Sequence, residues 1–274
     1  MSVQNFVPEL WSAKLLLANQ KNQVFRKVCN SNYQGEINQK GDRVKVNSLG
    51  AITVDDYDKS STTITYSDLT SASQWVVLDQ ANYWSVQVHD ADAAQSNIDL
   101  MNAAIADASY RMSDKADQFI AAFYSQAGCA TSSANVNSEN VLETIAEAGR
   151  KLTDAHCPTQ GRWMVVPPWF LLKLQLAFIS NSVVSEKPLI DGSVTRVLGF
   201  DILVSPNIKT SSTTNYIMAG TMEAMTYVEG IVKVEAMRLE GKFADGIRGL
   251  QVYGGQVVKG DCLCSVPCVE TAEA

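Results

Sequence analysis

No stretch of the 274-residue sequence approaches the roughly 20 consecutive apolar residues that a membrane span requires. The first residues, MSVQNFVPELW, lack the basic patch and apolar segment of a secretory signal. There is also no Asn-x-Ser/Thr acceptor site for N-glycosylation. These absences indicate a protein that is made and folded in a cytoplasm and has no membrane partner.

Basic residues are neither numerous nor clustered. The chain has 22 Lys and Arg against 29 Asp and Glu, a formal net charge of -7. The basic residues are dispersed, as at Lys151, Arg162 and Lys173. A dedicated nucleic-acid binder usually groups Lys and Arg so that they neutralise several phosphates. We therefore expect at most weak contact with nucleic acid.

Motifs of the common catalytic sites are missing as well. There is no phosphate-binding loop, dinucleotide-binding turn, nucleophile elbow or paired zinc-binding histidines. His89, Asp90 and Asp92 resemble a ligand group, but the rest of a calcium loop is lacking and the acids suit a helix start. His156 and Cys157 have no third group to orient them as base and nucleophile. We expect no enzyme activity, no catalytic residue and no cofactor.

Cysteine is present at six positions. Three of them, Cys29, Cys129 and Cys157, are scattered, and in a reducing compartment they would serve as small buried side chains. The others, Cys262 to Cys268, have the spacing C-x-C-x-x-x-C, which matches no standard zinc pattern. We interpret them as residues of a terminal strand and expect no metal site.

Hydrophobic periodicity divides the first half of the chain into three parts. Residues 5–30 have helical spacing that Gln20–Gln23 interrupts, which predicts either a helix or a short helix followed by an extended arm. From Asp42 to His89 the pattern is that of β-strands. From about Ala91 to Tyr124 an apolar stripe recurs every three or four residues without Gly or Pro, broken only near Lys115. This stripe predicts a helix of about 30 residues and about 45 Å.

The second half alternates helices and strands and is β-structure at its end. The predicted elements are a helix Ser138–Ala155, a strand Trp163–Val166, a helix Trp169–Phe178, strands around Val194–Val197, Phe200–Val204 and Tyr216–Met218, a short helix Met222–Met225 capped by Thr221, and strands Ile231–Leu239 and Leu250–Val258. Gly241, Gly246 and Gly249 are expected to lie between the last two strands.

The stretch Val54–Trp75, VDDYDKSSTTITYSDLTSASQW, alternates like a strand but has few apolar residues. It belongs to the β-patterned segment from Asp42 to His89, an arm of about 50 residues. Ordering this arm costs about 50 kcal/mol in backbone entropy, at about 1 kcal/mol for each residue. Offsetting this by burial alone requires about 2,000 Å² of apolar surface at roughly 25 cal/mol per Å². That area is typical of a protein–protein interface. We therefore expect the arm to lie on a neighbouring subunit.

The order of a helical N-terminal arm, a long β-arm, a long helix and a compact α/β part resembles the major capsid, or coat, proteins of tailed bacteriophages. Their fold is shared with herpesvirus capsid floor domains and with encapsulins. The resemblance rests on the order and spacing of five segments: PELWSAKLLLANQKNQVFRKVCN, GDRVKVNSLGAITVDDY, VVPPWFLLKL, RVLGFDILVSPNI and AGTMEAMTYVEGIVKVEAMRLEGKFADGIRGLQVYGGQVV. It covers nearly the whole chain.

The resemblance implies an α+β fold with four parts. Residues 1–40 would be the N-arm and 41–89 the extended hairpin, or E-loop. Residues 90–129 and 231–274 would form the peripheral (P) domain, which contains the long spine helix, and residues 130–230 the axial (A) domain. Because the N-arm begins close to Met1, we expect any scaffolding segment to be a separate protein.

The function implied is self-assembly, through pentamers and hexamers, into an icosahedral or prolate shell around the double-stranded DNA of a tailed phage. The chain would reside in the virion capsid and assemble in the host bacterial cytoplasm. A scaffolding protein, a portal and decoration proteins would be its other partners. The expected inter-subunit contact residues lie in the N-arm and the E-loop: Phe6, Leu10, Trp11, Tyr57, Ile64, Tyr66 and Trp75.

Two other hypotheses fit the same pattern. An encapsulin-like compartment would have the same fold with a cargo-binding inner face. A non-capsid oligomeric binding module would assemble no further than a small ring, and its arm would remain sensitive to proteases near Lys59.

Overall fold

The computed structural model describes residues 24–31, 43–49, 71–89, 100–180, 196–239, 241 and 243–271. In these ranges the chain has three α-helices and thirteen strands, which form sheets of two, three and eight strands. The helices are α1 (Leu100–Ala121), α2 (Val141–Asp154) and α3 (Pro168–Ser180). The strands are β1 (Arg43–Leu49), β2 (Ser71–Val77), β3 (Gln80–His89), β4 (Cys129–Ala130), β5 (Ala134–Val136), β6 (Arg162–Val166), β7 (Arg196–Val197), β8 (Phe200–Val204), β9 (Thr210–Ser211), β10 (Thr214–Thr221), β11 (Met225–Arg238), β12 (Ala244–Val257) and β13 (Leu263–Glu270).

Helix α1 is the predicted spine. Its 22 residues span about 33 Å at about 1.5 Å each, and a 3₁₀ turn, Ala122–Gln126, continues it. Side chains four residues apart, at Ala108, Met112, Ala116 and Ile120, are buried along one side. The stripe therefore runs through Ala116, where the sequence suggested a break, because a small side chain keeps the spacing. Residues 90–99 of the predicted helix lie outside the described ranges.

The eight-stranded sheet has β6 near its centre, between antiparallel β10 and parallel β8. All five residues of β6 are buried because both faces of the sheet are covered. Met164 and Val166 join the core beneath α2 and α3, whereas Trp163 and Val165 join the core shared with α1. The sheet therefore separates two hydrophobic cores.

The three-stranded sheet places β12 between β11 and β3. It covers the other side of α1, where Phe119 packs edge-on against Tyr253 of β12 with ring centroids 5.3 Å apart. Strand β13 lies in the segment 231–274 that was expected to close the peripheral sheet. It pairs with β10, β4 and β5 in the eight-stranded sheet.

The N-terminal segment that the structure describes, residues 24–31, packs on α1 and on the eight-stranded and three-stranded sheets. Phe25–Val28 is a 3₁₀ turn, where the sequence predicted regular helix, and Val24, Phe25 and Val28 are buried against α1. Residues 5–23 of that predicted helix lie outside the described ranges. Next, Asn30 N donates to Met225 O at 2.8 Å and Tyr227 N donates to Asn30 O at 3.1 Å. These bonds tie the segment to β11.

The prediction of a short helix at Met222–Met225 is wrong. The chain makes a turn in which Ala224 N donates to Thr221 O at 3.1 Å, and Met225 already begins β11. Thr221 Oγ1 is buried and has no hydrogen-bond partner among the described residues, so it does not act as a helix cap. The strong pairing of β11 with β12 outweighs the local capping signal.

The last two long strands also extend further than predicted. β12 begins at Ala244, so Gly246 and Gly249 lie within it and not between the strands. A Cβ at Gly249 would overlap the indole of Trp84, which crosses this strand from β3. Glycine here permits a close approach within a strand, although in sequence it is typical of a turn.

Candidate functional site: the exposed assembly surfaces

The polar arm begins and ends in the two-stranded sheet. Arg43 of β1 is opposite Val77 of β2, and Leu49 is opposite Ser71, so residues 50–70 connect the two strands at one end of this sheet. Val76 and Leu78 are fully buried against Val228 and Val252 of the three-stranded sheet. The base of the arm is therefore packed on the body of the subunit.

Trp75 projects from the opposite side of β2. Residues alternate along a strand, so Trp75 and Val77 point away from the side that buries Val76, and 45% of Trp75 is exposed. The Arg43 guanidinium lies 5.0 Å from the Trp75 ring centroid, a cation–π contact. Of the seven predicted contact residues, Trp75 is thus placed at the surface; Phe6, Leu10, Trp11, Tyr57, Ile64 and Tyr66 lie outside the described residues.

A larger exposed surface lies on the three-stranded sheet. Tyr83 of β3 is directly opposite Leu250 of β12, and these side chains are 81% and 42% exposed. Two residues along, Arg248 forms an ion pair of 2.7 Å with Glu235 of β11. Met237 lies on the same side and is also exposed. We name Tyr83, Glu235, Met237, Arg248 and Leu250 the outer sheet face.

The opposite face of this sheet is covered along β12, although Val86 at its β3 edge, opposite Ile247, is 39% exposed. Ile247 and Gln251 are buried there, and Asn82 donates a hydrogen bond of 2.8 Å to the Tyr253 hydroxyl. One face of the sheet therefore completes the core of the subunit. The outer sheet face carries large apolar side chains that the described part of the subunit leaves uncovered, a pattern typical of interaction surfaces.

Exposed apolar residues also occur at two other places, the turn between β11 and β12 and helix α3. Phe243, 84% exposed, lies in the turn between β11 and β12, beside an ion pair of 3.1 Å between Arg238 and Asp245. On α3, Leu172 and Leu176 are exposed one turn apart, whereas the other side of the helix is buried. Apolar residues exposed on a helix whose other side is already buried indicate a second packing partner.

The candidate groups for chemistry do not converge. His156 is exposed with a left-handed φ of 58°, whereas Cys157 is buried and its thiol donates to Asp261 O at 3.2 Å. His89 ends β3, and Asp90 and Asp92 lie outside the described residues. Among the residues described, no three His, Cys, Asp or Glu side chains are grouped so that they could hold a metal ion.

All three terminal cysteines were predicted to lie on a strand, and two of them do. Cys264 and Cys268 are buried on β13, and burial raises the pKa of each thiol to about 12. Cys262 instead belongs to a 3₁₀ turn before that strand.

None of the helices in the described ranges has the length and apolar character needed to cross a membrane.

The exposed positions Tyr83, Phe243 and Leu250 were not predicted from the sequence. Phe243 had a signal, since it is the one large apolar residue in the turn-like segment EGKFADG. Tyr83 and Leu250 had none, because only the pairing of β3 with β12 shows that they are adjacent on one face.

Known proteins with this arrangement are phage capsid subunits. A family model described as phage capsid protein matches residues 83–263. The structure is similar to one titled Mycobacterium phage Che8, with 27% identity, TM-score 0.82 and coverage of 97% of this chain and 98% of that one. It is similar to the capsid of cyanophage P-SCSP1u, with 16% identity, TM-score 0.78 and coverage of 99% and 95%. It is also similar to the capsid of Myoviridae phage XM1, with 14% identity, TM-score 0.71 and coverage of 98% of this chain and 99% of that one. No curated protein sequence matches the chain.

A likeness that extends over nearly the full length of each chain defines the class: this is a phage capsid fold. The family model covers more than half of the sequence, and the chain belongs to the phage capsid protein family. It is a major capsid protein that self-assembles to form the shell, and its location is the virion capsid. The role is structural, and the encapsulin-like and binding-module hypotheses are not favoured.

Proposed function

We propose that the subunit assembles through pentamers and hexamers into an icosahedral or prolate shell that encloses the double-stranded DNA of a tailed phage. In this proposal residues 1–40 are the N-arm, 41–89 the E-loop, 90–129 and 231–274 the P domain, and 130–230 the A domain. The observation that carries it is the outer sheet face, where exposed apolar side chains lie on a sheet whose other side is already packed.

The E-loop lies across a neighbouring subunit. Its base is packed on the subunit, because Val76 and Leu78 are buried against the three-stranded sheet. Trp75, exposed at that base, contacts the neighbour together with Tyr57, Ile64 and Tyr66 further along. The N-arm contributes Phe6, Leu10 and Trp11. The arm's polar sequence is then explained, because ordering it depends on a surface supplied by another chain.

The remaining partners follow from the same assembly. A separate scaffolding protein guides closure, a portal occupies one vertex, and decoration proteins are candidates for the outside of the shell. Assembly takes place in the host bacterial cytoplasm. The net charge of -7 suits a wall that contacts packaged DNA only weakly, since phosphates are repelled by a net negative surface. The chain catalyses no reaction.

The test is to express the protein alone and examine it by light scattering and negative-stain electron microscopy. We expect closed shells, or rings of five and six subunits. The variant L250E introduces a charge at the centre of the outer sheet face and should stay unassembled at concentrations where the wild type assembles. Its melting temperature as a free subunit should be unchanged, because Leu250 is exposed.

The matched control is T213E, which adds the same charge in the exposed turn between β9 and β10. If L250E assembles as well as T213E and the wild type, the outer sheet face is not an interface. Proteolysis near Lys59 provides a second readout: cleavage should be fast in free subunits and suppressed in shells. A wild-type protein that forms only a small closed ring, with the arm still cleaved, would contradict the shell.

A further inference from the structure

Three thiols meet where the chain passes from the three-stranded to the eight-stranded sheet. Cys262 lies in the 3₁₀ turn Gly260–Cys262 between β12 and β13. The Sγ atoms of Cys157 and Cys262 are 2.7 Å apart, although the residues are 105 positions apart in sequence. Cys157 Sγ and Cys129 Sγ both donate to the Asp261 carbonyl oxygen, at 3.2 Å and 3.4 Å. All three cysteines are free.

This cluster is closely packed and has an accessible side. Gly128 N donates to Gly260 O at 2.8 Å, and a Cβ at Gly128 would lie 2.7 Å from the carbonyl carbon of Gly260. Cys157 is buried, whereas Cys262 is partly exposed. Cys262 is therefore the more exposed thiol of the pair, and the thiol that it touches is Cys157. The described residues form no metal-binding group here, so coordination does not explain the arrangement.

We propose that Cys157 and Cys262 form an intramolecular disulfide when the protein meets an oxidising pool of small-molecule disulfides. The Cys262 thiolate attacks the small disulfide, forms a mixed disulfide and releases one small thiolate. The Cys157 thiolate then attacks the Cys262 sulfur and releases the second. The protein loses two protons and two electrons in making one S–S bond, and the small disulfide is reduced to two thiols.

The environment of Cys157 sets the speed of the second step. Burial, and then the contact with Cys262, raises the pKa of the Cys157 thiol to about 12. Because only the thiolate attacks, closure of the bond is slow at neutral pH, and its rate rises with pH as long as the pH stays below that pKa. In a reducing cytoplasm the pair stays as two thiols. The bond forms after the protein reaches an oxidising medium.

The disulfide would link the end of α2 covalently to the turn between β12 and β13, where the chain passes from the three-stranded to the eight-stranded sheet. Cys157 follows α2, which packs on the eight-stranded sheet, and Cys262 ends the crossing from β12. The bond would close a loop between residues that are 105 positions apart, and this restricts the unfolded chain more than the folded one. The inference concerns the subunit itself and does not depend on the shell.

The test uses the full-length protein and oxidised glutathione at about pH 8.5, followed by alkylation of remaining thiols, digestion and mass spectrometry. We expect a peptide pair joined through Cys157 and Cys262 that is lost after reduction. The oxidised protein should melt several degrees higher than the reduced protein. This shift should be absent in C262S and present in C268S, which removes a buried thiol outside the cluster.

Two outcomes would overturn the inference. One is a stable glutathione adduct on Cys262 while Cys157 remains a free thiol after prolonged oxidation. The other is a bond from Cys262 to Cys129, which C129S would abolish and C157S would not. Because the wild-type digest reports the linkage directly, the result does not depend on whether the serine variants fold.

Discussion

The carboxylate of Asp117, near the C-terminal end of α1, accepts a hydrogen bond of 2.8 Å from the backbone N–H of Phe25, which lies 92 residues earlier in the chain. Its other oxygen accepts a hydrogen bond of 3.2 Å from the Asn207 side chain. Asp117 is only 1% exposed. One buried side chain therefore joins the N-terminal segment, the spine helix and the loop after β8.

We expect D117A to lower the free energy of unfolding by about 2–3 kcal/mol, because it removes the acceptor of the buried Phe25 N–H and one of the two acceptors of the Asn207 side-chain amide, which also donates to Asp114. Urea unfolding of the unassembled subunit, followed by circular dichroism, measures this. The control is D107N, on the same helix, where Asp107 pairs with the exposed Arg111 and the expected loss is below about 0.5 kcal/mol. Equal losses in the two variants would show that the Asp117 hydrogen bonds do not stabilise the fold.

Asp117 also predicts a pH dependence. Burial raises the pKa of its carboxyl group above the ordinary 3.8, although hydrogen bonds from Asn207 and Phe25 oppose the shift. A carboxyl group with a raised folded-state pKa contributes most stability when protonated, and that contribution is lost as pH rises through the folded pKa. Relative to D117N, which does not titrate, the wild-type unfolding free energy should therefore fall from about pH 4 upward. A difference that is constant up to about pH 7 would contradict this.

Gly254 of β12 lies directly against the strand that carries the base of the E-loop. A Cβ there would overlap Val77 O and lie 2.9 Å from Leu78 Cα, both main-chain atoms that cannot move aside independently. We expect G254A to destabilise the subunit by about 1–3 kcal/mol or more and to loosen β2 from the sheet. Hydrogen exchange of the β2 amides should rise more than that of β6.

The matched control is G260A. A Cβ at Gly260 would make its nearest contact at 3.5 Å, an ordinary van der Waals distance. Its effect should be within about 1 kcal/mol. If G254A and G260A behaved alike, the close approach of β2 and β12 would not need a glycine.

The buried side chain of Arg162 donates hydrogen bonds to backbone carbonyl groups in the last turns of α2 and just after the helix. Its guanidinium donates to Pro158 O at 2.8 Å, Gly149 O at 3.1 Å and Cys157 O at 2.9 Å. R162K should lower the unfolding free energy by about 2–3 kcal/mol, because an ammonium group cannot reach carbonyls in this fork arrangement. R150K, which alters the exposed ion pair of Arg150 with Asp154, should cost less than about 0.5 kcal/mol. Denaturant midpoints compare the two, and similar values would rule out a special role for Arg162.

The sequence by itself determined the elements whose residues interact within a few positions. The stripe from Ala108 to Ile120 specifies α1 because residues four apart share a helix face. The run Trp163–Val166 specifies a central strand because each residue is apolar and both faces are covered. The order of these elements was sufficient to indicate a phage capsid subunit, which the family match confirms.

Only the tertiary structure decided the features that depend on residues far apart in the chain. Pairing with β12 turned Met225 into a strand residue, and the Trp84 indole explains a glycine at position 249 within a strand. The outer sheet face and the contact between Cys157 and Cys262 likewise arise from chain segments brought together by packing. Local periodicity contains no information about such pairs, because their energies depend on positions in space and not on spacing in sequence.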